Sequence, residues 1–376
     1  MTTASAAATE LGFGALEPIV ASFEAAAREA PGIEERDFML AGAEVRFRSP
    51  HSEMLGTLCR AFAHLELAEP AARPQLVVDL WDGASGGPVP PLPSERDQKA
   101  PGAFFYFSSD RLRAGFQAGT SGDPRVLAIH PEVTRPPLDP MERLTVLERS
   151  NTHGWYWVAD AARIPYWEQA SPLLFLFDWW LRDRNMHLLH AAAVGVPAGG
   201  ILLVGKSGSG KSTAALSSLA SDLLYAGDDY VCVSLDPHPH VHGLYNTGKL
   251  MQDHVERLPF VLDGLANRDR LTEKAVVYVN ESWPARLTPG FPLRALMIPR
   301  VTPGLVEARA TETSPAAGLR ALAPSTVLQM HTRGQDSLAR VRRLLERVPT
   351  YTLELGSDMV SIPRTIHELI QSLNDG

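Results

Sequence analysis

The sequence predicts an α/β fold: a central sheet flanked by helices in the second half of the chain, preceded by a smaller α+β domain. Three observations carry this. Strand-like and helix-like segments alternate through the second half. A glycine-rich loop lies within that run, after an apolar strand and before a helix. The first half instead shows short strands, a few helices and a long Gly/Pro-rich interruption. The expected division is residues 1–165 and 166–376.

The elements follow in order. "PIVASFEAAAREAPG" reads as a helix, and "FMLAGAEVRFRS" as two short strands around Ala41-Gly42. "SEMLGTLCRAFAHL" has helical apolar spacing after a Ser52 cap. "PQLVVDLWD" is a strand, and "GASGGPVPPLPSERDQKAPG" a loop without a period. "AFFYFSSDRLRAGFQ" and "RVLAIH" are read as strands, and "PLDPMERLTVLERSN" as a short helix. Past Pro165, "PYWEQASPLLFLFDWWLRDRN" reads as one helix and "MHLLHAAAVGV" as one strand. "LLYAGDDYVCVSLD" is read as a strand, followed by a return strand at "PHVHGLY". "AVVYVN" and "FPLRALMIPRV" precede two helices, "AAGLRALAPSTVLQMH" and "DSLARVRRLLERV". "TYTLELG" is a late strand and "PRTIHELIQSLND" a closing helix.

Composition excludes several classes. The 376 residues are 45% hydrophobic, ample for one large core or two. Net charge is −8 with Lys and Arg dispersed, so the basic face of a nucleic-acid binder is missing. Cys59 and Cys232 are far apart and in no metal spacing, which predicts a reducing compartment without a disulfide framework. "MTTASAAATELGFG" lacks the pattern of a signal peptide. "SPLLFLFDWWL" is interrupted by Asp178 and reads as a buried helix, not a membrane span. The expectation is a cytoplasmic protein with neither membrane nor nucleic-acid partners.

Gly205-Lys206-Ser207-Gly208-Ser209-Gly210-Lys211-Ser212 fits G-x-x-x-x-G-K-[ST] at every fixed position. Apolar Ile201–Val204 precedes it and the helix from Thr213 follows. Glycines let the backbone turn its N–H groups inward toward phosphate oxygens. Lys211 is expected to reach the β- and γ-phosphates of ATP, and the Ser212 hydroxyl to ligate Mg²⁺.

Such a loop leaves the fate of the γ-phosphate open, and its flanks narrow it. His190 lies upstream on the preceding strand, and Asp228-Asp229 downstream at the end of the next. Alternate strand residues face opposite sides. One carboxylate can then serve the metal while the other accepts a proton from an attacking hydroxyl.

His190, the "GKS" loop and the Asp pair together resemble HPr kinase/phosphorylase and its wider relatives, closely over Leu188–Val233 and more weakly beyond. The resemblance implies a phosphoenolpyruvate-carboxykinase-like P-loop kinase core, ATP and Mg²⁺, and transfer to a protein or peptide serine. It places His190 and Lys211 among the catalytic groups, Ser212 on the metal, Asp229 as proton acceptor and Asp228 on the metal side. Thr213 stands where HPr kinase has Glu, and "GLYNTGKLMQDHVER" replaces its Leu-Glu-x-Arg-Gly-x-Gly stretch. The longer chain is similar in layout to kinases of modified peptides, including lasso-peptide kinases. The family's hexamers make a homo-oligomer a further expectation.

Other residues carry weaker signals. Lys249, Lys274, Arg286 and Arg294 are candidate phosphate clamps, Lys249 foremost because it follows a glycine on the return from the Asp pair. "HPHVH" reads as a proline turn ahead of a metal site. Trp155, Tyr156, Trp157, Tyr166 and Trp167 read as inter-domain packing or a peptide groove. Two alternatives to a serine kinase remain at this stage: a small-molecule hydroxyl kinase of the same fold, and an ATP-binding regulatory protein without transfer.

Overall fold

The structure is a computed structural model that describes residues 16–91, 103–107, 126–130, 142–149, 152–269, 272–329 and 334–375. The fold is mixed α/β and divides into two compact units. The first comprises Met1–Cys59, Glu66–Gln169 and Leu173–Trp180; the second comprises Arg60–Leu65, Ala170–Pro172 and Leu181–Gly376.

The first unit is built on strands β1 (Glu34–Leu40), β2 (Ala43–Ser49), β3 (Leu76–Asp82), β4 (Ala103–Phe107), β5 (Val126–His130), β6 (Arg143–Glu148) and β7 (His153–Val158). They form a sheet in the order β1-β2-β3-β7-β6-β5-β4. Ala41 and Gly42 both have positive φ, 48° and 75°, as a two-residue hairpin turn requires. The helix Glu17–Glu29 presents Ile19, Phe23 and Ala26 to a core containing Trp81, Trp155 and Trp157. The aromatic run Trp155–Trp157 is thus the middle of a sheet, its side chains buried inside this unit. Beneath them the Asp79 carboxylate accepts two bonds from Arg48, at 2.7 and 2.9 Å, and lies 2.8 Å from His153 Nε2.

Three segments depart from the sequence reading. The described part of "PLDPMERLTVLERSN" is strand β6, not a helix. β6 lies between β5 and β7, and Leu144–Glu148 are buried without alternation, so side chains on both faces of the strand are covered. "PYWEQASPLLFLFDWWLRDRN" forms two helices, Tyr166–Ala170 and Leu174–Asp183, interrupted where Leu173 takes a φ of 58°. "AFFYFSSDRLRAGFQ" is a strand over β4, and its remainder falls outside the described residues.

The second unit contains β8 (Met186–Leu189), β9 (Ala192–Val196), β10 (Gly199–Leu203), β11 (Leu224–Gly227), β12 (Val231–Ser234), β13 (His240–His242), β14 (Thr247–Leu250), β15 (Ala275–Tyr278), β16 (Gly290–Val301), β17 (Arg309–Thr313) and β18 (Thr350–Leu355). The main sheet runs β11-β9-β10-β16-β13-β12-β8, with β18 also paired to β16 and β17 to β18. β14 and β15 form a separate antiparallel pair.

β10 is apolar throughout because both its faces are covered. Ile201 and Leu203 pack with Ala214, Leu216, Ile362, Ile366 and Ile370 from the helices Lys211–Ser217 and Ser361–Asn374. Leu202 and Val204 pack on the other side with Leu322, Val341 and Leu344 from the helices Pro315–Gln329 and Gly334–Arg347. β16 is parallel to β10, and β18 is parallel to β16. Their carboxyl ends therefore open on the same edge, where the glycine-rich loop lies. Among the described residues, no helix is long and apolar enough to cross a membrane.

Candidate functional site

The loop leaves the end of β10 and returns as the helix Lys211–Ser217. Gly210 caps that helix with a φ of 101°, and a Cβ there would meet the Leu355 side chain. The left-handed dihedral favours glycine. Lys211 is buried, and its ammonium donates to the carbonyls of Gly205 at 2.6 Å and Lys206 at 3.2 Å. Burial lowers its pKa, against the opposing charges of Asp228 and Asp229.

Two expected strands turn out to be broken at the residues of interest. "LLYAGDDYVCVSLD" is β11 and β12, separated by a tight three-residue turn in which the Tyr230 N–H donates to the Asp228 carbonyl at 2.8 Å. Asp229, at its centre, has a φ of 65°. A non-glycine residue held there costs on the order of 1–3 kcal/mol and persists only when its surroundings enforce it. "MHLLHAAAVGV" is likewise β8 and β9, separated by a turn in which the Ala191 N–H donates to the Leu189 carbonyl at 2.9 Å, with His190 at the centre. β8 pairs with β12, whereas β9 pairs with β10 and β11. Asp228 and Asp229 therefore differ by a turn, rather than by strand alternation.

The two turns bring Asp229 Oδ1 to 3.5 Å from His190 Nε2. Lys249, projecting from β14, places its Nζ in ion-pair contact with the other Asp229 oxygen. Burial works to raise the Asp229 pKa, but the Lys249 charge and the His190 contact outweigh it and hold it far below the usual carboxylate range.

Asp228 has the opposite environment. It is only 1% exposed, and burial followed by the neighbouring Asp229 charge pushes its pKa up, with the Ser212 hydroxyl and the N–H groups of Asp229 and Lys249 pulling it down. The Lys249 N–H donates to Asp228 Oδ2 at 3.2 Å, while Oδ1 has no hydrogen-bond partner. A buried, unpartnered carboxylate oxygen close to a serine hydroxyl is a donor set that suits a hard divalent cation.

A cleft above the loop is lined by His190, Ser207, Gly208, Gly210, Lys211, Ser212, Thr213, Asp229 and Lys249, joined by Leu250, Met251, His254 and Lys274. Gly205, Lys206 and Ser209 build the loop without lining the cleft, and Asp228 lies beneath it. The other candidate clamps are elsewhere: Arg286 faces Asp222 at 3.5 Å, and Arg294 donates to the Ala198 carbonyl. His254 and Met251 went unread in the sequence; after Lys249, Met251 caps the short helix Gln252–Val255 that carries His254, and no motif marks them. His240 and His242 share a face of β13, but no three His, Cys, Asp or Glu side chains are grouped to hold a metal among the described residues.

No family model matches this sequence, and no curated protein matches it. Among solved structures, the chain is similar to the Hpr(Ser) kinase/phosphatase from Coxiella burnetii. The likeness is at 9% identity and a TM-score of 0.29, covering 50% of this chain and 99% of that one.

Proposed function

We infer that this protein is an ATP- and Mg²⁺-dependent phosphotransferase with a phosphoenolpyruvate-carboxykinase-like core, moving the γ-phosphate to a serine hydroxyl of a protein or peptide. The observation that carries this reading is the Asp229 carboxylate, clasped by His190 and Lys249 at the mouth of a phosphate loop. A protein that only sensed nucleotide would have no use for a strained, buried acid–base cluster beside the terminal phosphate.

The loop backbone and Lys211 hold the triphosphate. Ser212 and Asp228 would hold Mg²⁺, which supplies positive charge against the phosphate oxygens. Asp229 is fully ionised at neutral pH, so it is ready to accept a proton, yet its pairing with Lys249 makes it a weak base. When a terminal phosphate draws Lys249 toward itself, Asp229 gains basicity where it is needed. The serine oxygen then bonds to phosphorus, the bond to the ADP oxygen breaks, and the hydroxyl proton passes to Asp229. His190 keeps the carboxylate aimed throughout. Such a base is worth ~10²–10⁴ in rate. The first unit would recognise the acceptor or mediate assembly.

The deciding experiment incubates the protein with γ-labelled ATP and a lysate fraction, then separates products by size. Label in a protein or peptide band, released as phosphoserine, supports the reading. Label confined to small molecules, or no ATP consumption with any fraction, removes it.

A further inference from the structure

A second cleft lies wholly within the first unit and shares no residue with the one above the loop. Its volume is about 640 Å³, in the range of roughly 300–1,000 Å³ typical of ligand pockets. One wall is a side of the helix Glu17–Glu29, where Val20, Phe23, Glu24, Ala27 and Arg28 recur at helical spacing. The other wall is the sheet. Arg48 on β2 is the register partner of Asp79 on β3, and Asp79 that of Trp155 on β7. His153 stands two residues before Trp155, on the same face, opposite Glu148 of β6. All five line the cleft.

The polar side chains of the sheet wall are fixed in place. The buried Asp79 Oδ2 accepts from Arg48 Nη2 at 2.9 Å and lies 2.8 Å from His153 Nε2, so one oxygen orients both groups. The His153 ring stacks on Trp155 at 4.4 Å and 15°, and the Arg48 guanidinium faces the Phe23 ring at 5.6 Å. What each group leaves open is specific. Arg48 gives Nε and Nη2 to Asp79 and keeps its Nη1 hydrogens as donors. The carboxylate can only accept, which assigns a hydrogen to His153 Nε2; the neutral ring then offers Nδ1 as an acceptor. Among the described residues neither Nη1 nor Nδ1 has a hydrogen-bond partner.

A donor and an acceptor anchored on one oxygen, beside an apolar helix wall, complement a main-chain amide that carries an apolar side chain. Charge selects against a free carboxylate, because the lining sets two arginines against Glu24, Asp79 and Glu148. We propose that this cleft binds a peptide segment, its main-chain amide on Arg48 and His153 and its apolar side chain along Val20, Phe23 and Ala27. On the phosphotransfer reading above, that segment belongs to the acceptor. Binding itself requires neither nucleotide nor loop, so the two readings fail separately.

The test titrates the full chain, without nucleotide, by saturation-transfer NMR. The probes are acetylated and amidated tripeptides with phenylalanine, leucine or serine at the centre, and hydrocinnamate, which has the apolar body but a carboxylate in place of the amide. Saturable binding of the phenylalanine or leucine peptide is expected, about tenfold tighter than the serine peptide or hydrocinnamate. Ala27→Trp puts a ring into the cleft without touching the polar cluster and is expected to abolish binding. His153→Leu removes the Nδ1 acceptor while Arg48 still pairs Asp79, and is expected to weaken the peptides about tenfold. Matching thermal unfolding curves verify the fold of both variants. No saturable binding of either apolar peptide, hydrocinnamate bound as tightly as the peptides, or undiminished binding in either variant overturns the proposal.

Discussion

His190 and Asp229 each occupy the centre of a three-residue turn that breaks a strand, and their side chains approach to 3.5 Å. Neither turn is required by its own residues, since neither contains glycine or proline. The pairing gives a first prediction. Asp229→Asn is expected to retain ATP binding and lose phosphotransfer by ~10²–10⁴. Transfer to an identified acceptor at the wild-type rate would take Asp229 out of the mechanism.

Lys249 is predicted to distinguish ATP from ADP. Its ammonium rests on Asp229, and both side chains line the cleft above the loop. Lys249→Met is expected to weaken ATP by roughly tenfold and ADP little, the scale of one lost charge-assisted contact. Equal losses for both nucleotides in a binding titration would place Lys249 away from the γ-phosphate.

Lys211→Ala is expected to weaken ATP engagement and slow transfer together, because its ammonium is held over the loop by the Gly205 and Lys206 carbonyls. Steady-state kinetics indistinguishable from wild type would contradict the assignment of the loop.

Asp228→Asn should separate metal binding from folding. The half-saturating Mg²⁺ concentration is expected to rise about tenfold or more, since a charged donor is lost from the cation site. Thermal stability without Mg²⁺ is expected to hold or rise, because a buried carboxyl with a raised pKa gives way to a neutral amide. A marked fall in melting temperature with an unaltered Mg²⁺ requirement would assign Asp228 a structural role.

His64 gives a pH prediction unconnected to the cleft. Neither ring nitrogen has a hydrogen-bond partner, and burial pushes its pKa down to about 4 from an ordinary value of 6.5. The folded state thus resists the proton that the unfolded state accepts. Its contribution to stability is complete above pH ~6.5 and is lost as pH falls toward 4, by about 3 kcal/mol in all. His64→Leu should abolish that part of the acid dependence and raise stability at pH 5. Denaturant titrations of both proteins at pH 5 and 7.5 measure the difference; parallel losses in the two would reject it.

The site was legible wherever local backbone chemistry carries it. The glycine-rich loop declares itself through glycines and a lysine at fixed offsets, since a turn with positive φ, as at Gly208 and Gly210, favours glycine. The Asp pair and His190 were legible as an interval measured from that loop. What was not legible was how they are held. The run around His190 reads as a single strand because its apolar residues are continuous, whereas Gly227 and the two acids after it are turn formers whose effect depends on which strands pair on either side. Both breaks arise where the chain passes from pairing with β9 or β10 to pairing with β12 or β8, a choice made by distant strands.

The misread β6 has a local cause. "RLTVLE" alternates polar and apolar residues only over Arg143–Val146 before Leu147 breaks the pattern, a run too short to reject a helix. The sequence alone determined the glycine-rich loop between strand and helix and the alternation of the second half, since these depend on residues adjacent in the chain. Only the tertiary structure decided that Lys249 sits on Asp229, that Asp229 approaches His190, and that Asp228 keeps an unpartnered oxygen. Each of these joins residues from separate strands, and sheet pairing, not local propensity, sets such distances.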